Sequence, residues 1–241
     1  MAAPEPPLIV AHRAGNHLDK LAEAFALGVD YAETDVWLHR ARLEVRHEKT
    51  LGPLPLLHDR GRLFPGWKPR LLLRDVLQAA LGHGKLFLDL KGAEPGLPDA
   101  VASAIEQAGA EDIVAFSSPR WAFLDRLAEP LPQATRFYTI SNLERLAELR
   151  PRLSRGEIEA VSIHSRMLSA EIVQELKQSG VRTMTTWAVE TEADARRVLG
   201  YGATGVTSKN LALLVAIRRG ELGESRVRPG RRGSACRRSS G

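Results

Sequence analysis

The sequence predicts an α/β chain closed as a single-domain, TIM-like (β/α)8 barrel, and three observations predict it. From residue 8 onward, short apolar runs rich in β-branched residues alternate with longer segments of helical spacing, the pattern of parallel strands joined by crossover helices. Eight such runs fall within 241 residues, close to the usual size of a closed barrel. Polar side chains interrupt or end several of the runs, where the loops of a barrel converge on one mouth. A doubly wound open sheet would show the same alternation and is the alternative architecture. Residues 8–217 are expected to form the barrel, with 1–7 an N-terminal extension and 218–241 a basic, disordered tail.

The first strand is expected at 8–13 (LIVAHR), with a helix at 18–28. The second, at 31–38 (YAETDVWL), is followed by an extra extended segment at 42–47. The stretch from Thr50 to Pro69, with Gly52, Pro53, Pro55, Gly61, Pro65 and Gly66 between them, reads as a loop. Its Leu54, Leu56, Leu57, Phe64 and Trp67 are expected to be partly covered, either over one end of the barrel or as an entrance for a fatty group. A helix at 71–82 leads to the third strand, 85–91 (KLFLDLK), and a helix at 97–109 closes on Gly109. The fourth and fifth strands, 112–117 and 134–140, carry helices at 120–128 and 142–149. After the sixth strand, 160–164, Ser169 is placed to cap a helix at 169–178, and Gly180 terminates its Ile172/Leu176 stripe. The seventh, 182–188, is followed by a helix at 190–199 with Thr191 as a weaker cap and Gly200 at its end, and the eighth, 203–208, by a helix at 210–219.

Composition narrows the function classes. The sole cysteine, Cys236, rules out an internal disulfide scaffold and a four-cysteine zinc site. The tail holds eight of the 34 basic and two of the 29 acidic residues, which leaves 26 against 27 in the first 217, so the body is close to neutral. The tail has no aromatic residue for base stacking, so no specific nucleic acid is expected; contact with an anionic membrane is the alternative to a solvated end. The apolar run 211–217 is far short of the roughly 20 residues that cross a bilayer, and the opening residues lack the basic start and apolar core of a signal peptide, so a cytoplasmic location is expected.

The candidate chemistry sits at strand ends. His12 and Arg13 end the first strand, an imidazole able to exchange a proton near neutrality beside a fixed fork of donors suited to phosphate. Glu33 and Asp35 are two residues apart on one strand and therefore share a face. Two carboxylates aimed together into a barrel mouth repel unless they hold a cation, share a proton or meet a base. Asp89 and Lys91 repeat that spacing on the third strand, so Asp89 offers a third carboxylate for a divalent cation, Mg²⁺ or Ca²⁺, and Lys91 a positive charge for a substrate anion. His47, after the extended RLEVR segment, gives a second imidazole, the minimum pair for deprotonating a nucleophile and protonating a leaving oxygen; His58 competes for that role.

These pieces resemble the glycerophosphodiester phosphodiesterase family. They stand in the family's order as AHRAG at 11–15, AFALGVDYAETDV at 24–36, VRHEKTL at 45–51 and LFLDLK at 86–91, with PRLLLRDVL, AFSS, VSIHSRML and TMTTWAV following. The resemblance spans roughly residues 8–217. It implies a metal-dependent hydrolase that cleaves glycerophosphodiesters to glycerol 3-phosphate and an alcohol. His12 and His47 become the acid/base pair, Glu33, Asp35 and Asp89 the cation ligands, and Arg13 and Lys91 phosphate contacts. It also selects His47 over His58, because the family's second histidine follows the first metal carboxylate by about fifteen residues and His47 follows Glu33 by fourteen. Trp187 stands where the family often has an aromatic residue that packs on the glycerol carbons, whereas His164 reads as structural.

The chain departs from the pattern in several places. Ala14 replaces the glycine of His-Arg-Gly, the Pro-Glu-Asn-Thr stretch is absent, and the first loop is left with Asn16 and His17 as polar residues. Glu48 and Asp89 exchange the usual acids, and Thr207-Ser208-Lys209-Asn210 stands for Thr-Asp-x-Pro. The alternatives are therefore the same chemistry on a lysophospholipid, with the 51–67 stretch receiving the acyl chain, and a non-catalytic barrel that binds a phosphorylated ligand. The tail's arginine, glycine and serine content offers almost no apolar surface, so a chain ending near Gly220 should unfold cooperatively at the same denaturant midpoint as the full chain.

Overall fold

The computed structural model describes residues 6–222 apart from 52, 53, 55, 60 and 68. Eight parallel strands close into a barrel: Leu8–Ala11, Tyr31–His39, Leu86–Leu90, Val114–Ser118, Arg136–Ile140, Ala160–His164, Thr183–Trp187 and Gly205–Ser208. Each pairs with the next in sequence and the eighth with the first, so the closed alternative holds and the open sheet does not. Two seams are short, with two residue pairs each: first to second strand (Val10 with Tyr31, Ala11 with Ala32) and seventh to eighth (Thr185 with Gly205, Thr186 with Val206), against five between the second and third.

Strand periodicity sorts the side chains into two cores. On the third strand Leu86, Leu88 and Leu90 face outward into the large core beneath the helices, while Phe87 and Asp89 face the barrel axis. Val10, Phe87, Ala115, Phe137 and Ala160 form a separate interior cluster, with the Phe87 and Phe137 rings 4.8 Å apart. That ring pair contributes about 1 kcal/mol beyond its buried area and, with its neighbours, fills the axis below the polar groups.

The helices follow the sequence closely. Ser169 accepts from the Ile172 N–H and Thr191 from the Asp194 N–H, as their positions predict. The helix Leu143–Ser154 runs past its expected end and through Pro151, because its buried stripe of Leu146, Leu149 and Leu153 continues. Gly202 rather than Gly200 takes the left-handed conformation after the seventh helix. The last helix, Leu211–Arg219, is capped by Gly220, and Leu222 packs against the core, so the barrel extends a few residues past 217; a cut at Gly220 removes this contact, and a chain ending after Leu222 is the one expected to keep the full midpoint. Residues 1–5 of the N-terminal extension and 223–241 of the tail lie outside the described residues. No described helix is long and apolar enough to cross a membrane.

The excursion after the second strand corrects the reading of 50–69 as loop. The second strand turns back at Arg40 and Ala41, both with positive φ, into the antiparallel strand Arg42–Val45, which in turn pairs with Leu71–Leu72. Beyond it, Lys49–Thr50, Leu56–Asp59 and Arg62–Pro65 form a small antiparallel sheet that turns through Gly61. Gly61 marks the turn and Pro65 the end of short strands rather than positions in one continuous loop.

Gly15 fixes the entrance to the first helix. A Cβ there would lie 1.8 Å from Thr34 Oγ1, on a buried, β-branched side chain with little room to move. The glycine that follows Ala14 is thus required by close approach to the second strand. Gly15→Ala should lower stability by about 1–3 kcal/mol in urea unfolding, with part recovered in the Gly15→Ala/Thr34→Ala double variant.

Candidate active site

The site is assembled from strand ends that the barrel brings to one mouth. The register sets Asp35 level with Asp89 and Asp89 level with Ser117. Glu33, Asp35 and Asp89 each direct a carboxylate oxygen to one point, all within 4.8 Å of one another. Lys91 lies 2.9 Å from Asp35 Oδ1 and also bonds Asp89 Oδ2. Its ammonium is therefore engaged with the carboxylates rather than standing free for a substrate anion.

The first strand delivers His12 and Arg13 beside this cluster. The His12 N–H bonds the Ser208 carbonyl across the sheet, and its Nε2 is 3.8 Å from Glu33 Oε2. Arg13 adopts φ 60°, a left-handed conformation that costs a non-glycine residue about 1 kcal/mol. Its backbone N–H donates to Glu33 and its Nη2 to His47 Nε2, contacts that hold the turn.

His47 returns to the mouth through the antiparallel ladder. Val36 opposes Val45, and the Arg46 N–H donates to the Asp35 carbonyl, so the next side chain lies over the carboxylates. Arg46 anchors the segment: it is buried, bonds Glu44, the Glu48 carbonyl and Thr50, and sits over the Trp37 ring. Asp59 lies 3.2 Å from His47 Nδ1, which orients the ring with Nε2 toward the site. His58, by contrast, accepts from the Gly61 N–H and lines neither cavity at the mouth.

Two residues were less legible. Asn16 grips Asp35 twice, its Nδ2 donating to Oδ2 at 2.7 Å and its Oδ1 accepting the Asp35 N–H at 2.9 Å. It is one of the two polar residues of the shortened first loop, which was the available signal. Asp59 follows His58 in LLHD, and the same tetrapeptide that suggested a rival histidine supplies the partner of His47.

Two adjoining cavities share His12, Arg13 and His47. The inner one, about 390 Å³, reaches Phe87 and is lined beyond the carboxylates by Ser117, Thr139, Ser162, His164 and Trp187. His164 and Trp187 meet edge to face at 4.7 Å, so both border this cavity. The outer one, about 570 Å³, opens past Lys20, Glu48, Arg70 and Lys209.

Charge explains the titration behaviour. Burial, reinforced by Asp35, pushes Glu33 well above the usual carboxylate range, and burial also raises Asp89. Asp35 titrates low; burial opposes this, but Lys91 and Asn16 stabilise its charge. His12 is depressed to about 3 by burial and by Arg13, and burial lowers His47. Three carboxylates face two cations, Lys91 and Arg13, and Asp89 Oδ1 is buried without a hydrogen-bond partner. With all three carboxylates ionised, the all-oxygen set carries one formal negative charge in surplus, which fits a hard divalent cation.

No family model matches the sequence, and no curated protein matches it. Solved structures do. A candidate glycerophosphoryl diester phosphodiesterase from Silicibacter pomeroyi superposes with a TM-score of 0.74 at 18% identity, over 90% of this chain and 95% of that one. An Oleispira antarctica phosphodiesterase, solved with the product sn-glycerol-3-phosphate, gives 0.72 at 19%, over 88% and 96%. The glycerophosphodiester phosphodiesterase of Thermotoga maritima gives 0.66 at 18%, over 90% and 100%. What these chains share with this one is the fold.

Asn16→Ala should weaken divalent-cation binding by about 10 to 100-fold in isothermal titration while the thermal transition stays cooperative, because hydrogen bonds behind a ligand set its orientation and basicity.

Proposed function

We propose that the chain is a divalent-cation-dependent phosphodiester hydrolase that cleaves glycerophosphodiesters to glycerol 3-phosphate and an alcohol. The observation that carries this reading is the convergence of two imidazoles, one arginine and three carboxylates on a single mouth, at the junction of the two cavities. The structural likeness to a phosphodiesterase holding sn-glycerol-3-phosphate supports it.

Glu33, Asp35 and Asp89 are the residues to hold the cation, Mg²⁺ or Ca²⁺, which when bound supplies positive charge against the phosphoryl oxygens. Lys91 stays paired with Asp35 and Asp89 and limits their mutual repulsion. Arg13 offers its guanidinium to the phosphoryl group from a turn tied to Glu33, so its position is set before substrate arrives. His12 and His47 flank the same volume. One removes a proton from the attacking oxygen, either water or the neighbouring glycerol hydroxyl, and the other protonates the departing alcohol oxygen. Asp59 behind His47 Nδ1 favours its imidazolium and keeps Nε2 on the reacting side. The hydroxyl-lined inner cavity is the right size and polarity for the glycerol, with Trp187 against its carbons.

The test is a panel of glycerophosphodiesters and lysophospholipids incubated with purified protein after chelation and after adding Mg²⁺, Ca²⁺ or Mn²⁺. Turnover is expected only with cation, and binding without turnover in every arm would replace this reading with a non-catalytic barrel. His12→Ala and His47→Ala should each lower kcat by about 10² to 10⁴-fold with cation affinity kept. Asp35→Asn and Asp89→Asn should instead weaken cation binding, with activity partly recovered by excess cation. His58→Ala should retain activity; its loss there would reassign the second imidazole.

A further inference from the structure

Four of the eight large hydrophobic side chains most exposed among the described residues fall between 51 and 67: Leu51, Leu54, Leu63 and Trp67, the last at 71%. They belong to the excursion that carries Asp59 to His47, at the barrel mouth. None of the four lines either cavity there, so they are not placed to receive an acyl chain from a substrate held at the carboxylates.

The small sheet presents Leu63 outward, and Leu51, Leu54 and Trp67 lie outside its strands. Leu57 opposes Phe64 and is buried, whereas Leu63, one residue along, opposes His58 on the other face and is 60% exposed. Arginines lie beside Trp67. Trp67 borders a groove of about 490 Å³ with Arg40, Arg42 and Arg70, and the one carboxylate of that groove, Glu44, is held by Arg46 at 2.8 Å. Arg40, Arg42, Arg62 and Arg70 have no carboxylate within 4.0 Å among the described residues. The Arg70 Nε is buried without an acceptor. Arg40 is held at the strained tip of its hairpin, which keeps it beside this groove.

Arg70 Nη2 donates to the Pro65 carbonyl at 2.7 Å. Exposed tryptophan and leucine with arginines that have no carboxylate partner is the combination that suits an anionic lipid surface. Indole settles at the headgroup level, leucine enters the acyl boundary, and guanidinium pairs with phosphate. We propose that the groove of Trp67, Arg40, Arg42 and Arg70, with Leu63 of the small sheet, docks the protein on an anionic phospholipid bilayer, with Trp67 and Leu63 entering the interface and Arg40, Arg42 and Arg70 holding lipid phosphates. The mouth then opens close to the membrane plane. Docking by this groove does not depend on the reaction at the carboxylates.

The experiment uses the full chain with large unilamellar vesicles of phosphatidylcholine alone or with one quarter phosphatidylglycerol. Sedimentation should show binding that requires phosphatidylglycerol and weakens with salt, by about tenfold or more between 0.1 and 0.5 M. Brominated phosphatidylcholine in the mixed vesicles should quench an emission component that Trp67→Phe lacks. Leu63→Ala/Trp67→Ala and Arg40→Gln/Arg42→Gln should each reduce partitioning by about tenfold, with the circular dichroism spectrum and thermal midpoint unchanged. Undiminished binding by both double variants would place the contact elsewhere, such as the basic tail, and overturn the proposal. So would absent quenching of Trp67, or no binding of the full chain to mixed vesicles.

Discussion

Surplus negative charge at the barrel mouth is the constraint around which the other features are arranged. Three carboxylates on two adjacent strands would be unstable together if nothing opposed them, and the chain sets Lys91 and Arg13 against them while leaving one charge for a cation. The surrounding contacts are the consequence. Asn16 fixes the orientation of Asp35, Arg13 takes a strained conformation to donate its N–H to Glu33, and the returning hairpin sets His47 above the cluster. The buried apolar cluster of the interior ends at Phe87 and Phe137, and the polar groups begin above it.

Much of this was legible because strand periodicity is a two-residue rule. Glu33 with Asp35, and Asp89 with Lys91, had to share faces once the strands were recognised, and the alternation of eight runs with the chain length favoured the barrel, while closure itself came from the strand pairing. Contacts between segments distant in sequence were harder to read. The Asn16 pairing with Asp35 and the Asp59 pairing with His47 depend on how two loops fold back, which no local spacing encodes. The small sheet at 49–65 was hidden because its strands are two to four residues long and interrupted by proline, below the length at which alternation becomes a pattern. The family's usual stretches were of limited help where this chain lacks them. Its first loop is shorter, yet Asn16 still reaches the second strand because Gly15 allows the backbone to approach Thr34.

The short seam between the first and second strands has a consequence for how the molecule breathes. Backbone pairing there is limited to two residue pairs, as it also is between the seventh and eighth strands, so the ring of strands has a thin seam between the two elements that carry His12, Arg13, Glu33 and Asp35. Side-chain contacts across the same gap, Arg13 N–H to Glu33 and Asn16 to Asp35, act as a clasp. Polar groups that would bind a cation and substrate therefore also hold the ring shut. Local opening at this seam would separate the imidazole and arginine from the carboxylates before any helix came away, and ligation would slow amide exchange along both strands. Catalytic geometry and closure of the ring are then one cooperative unit.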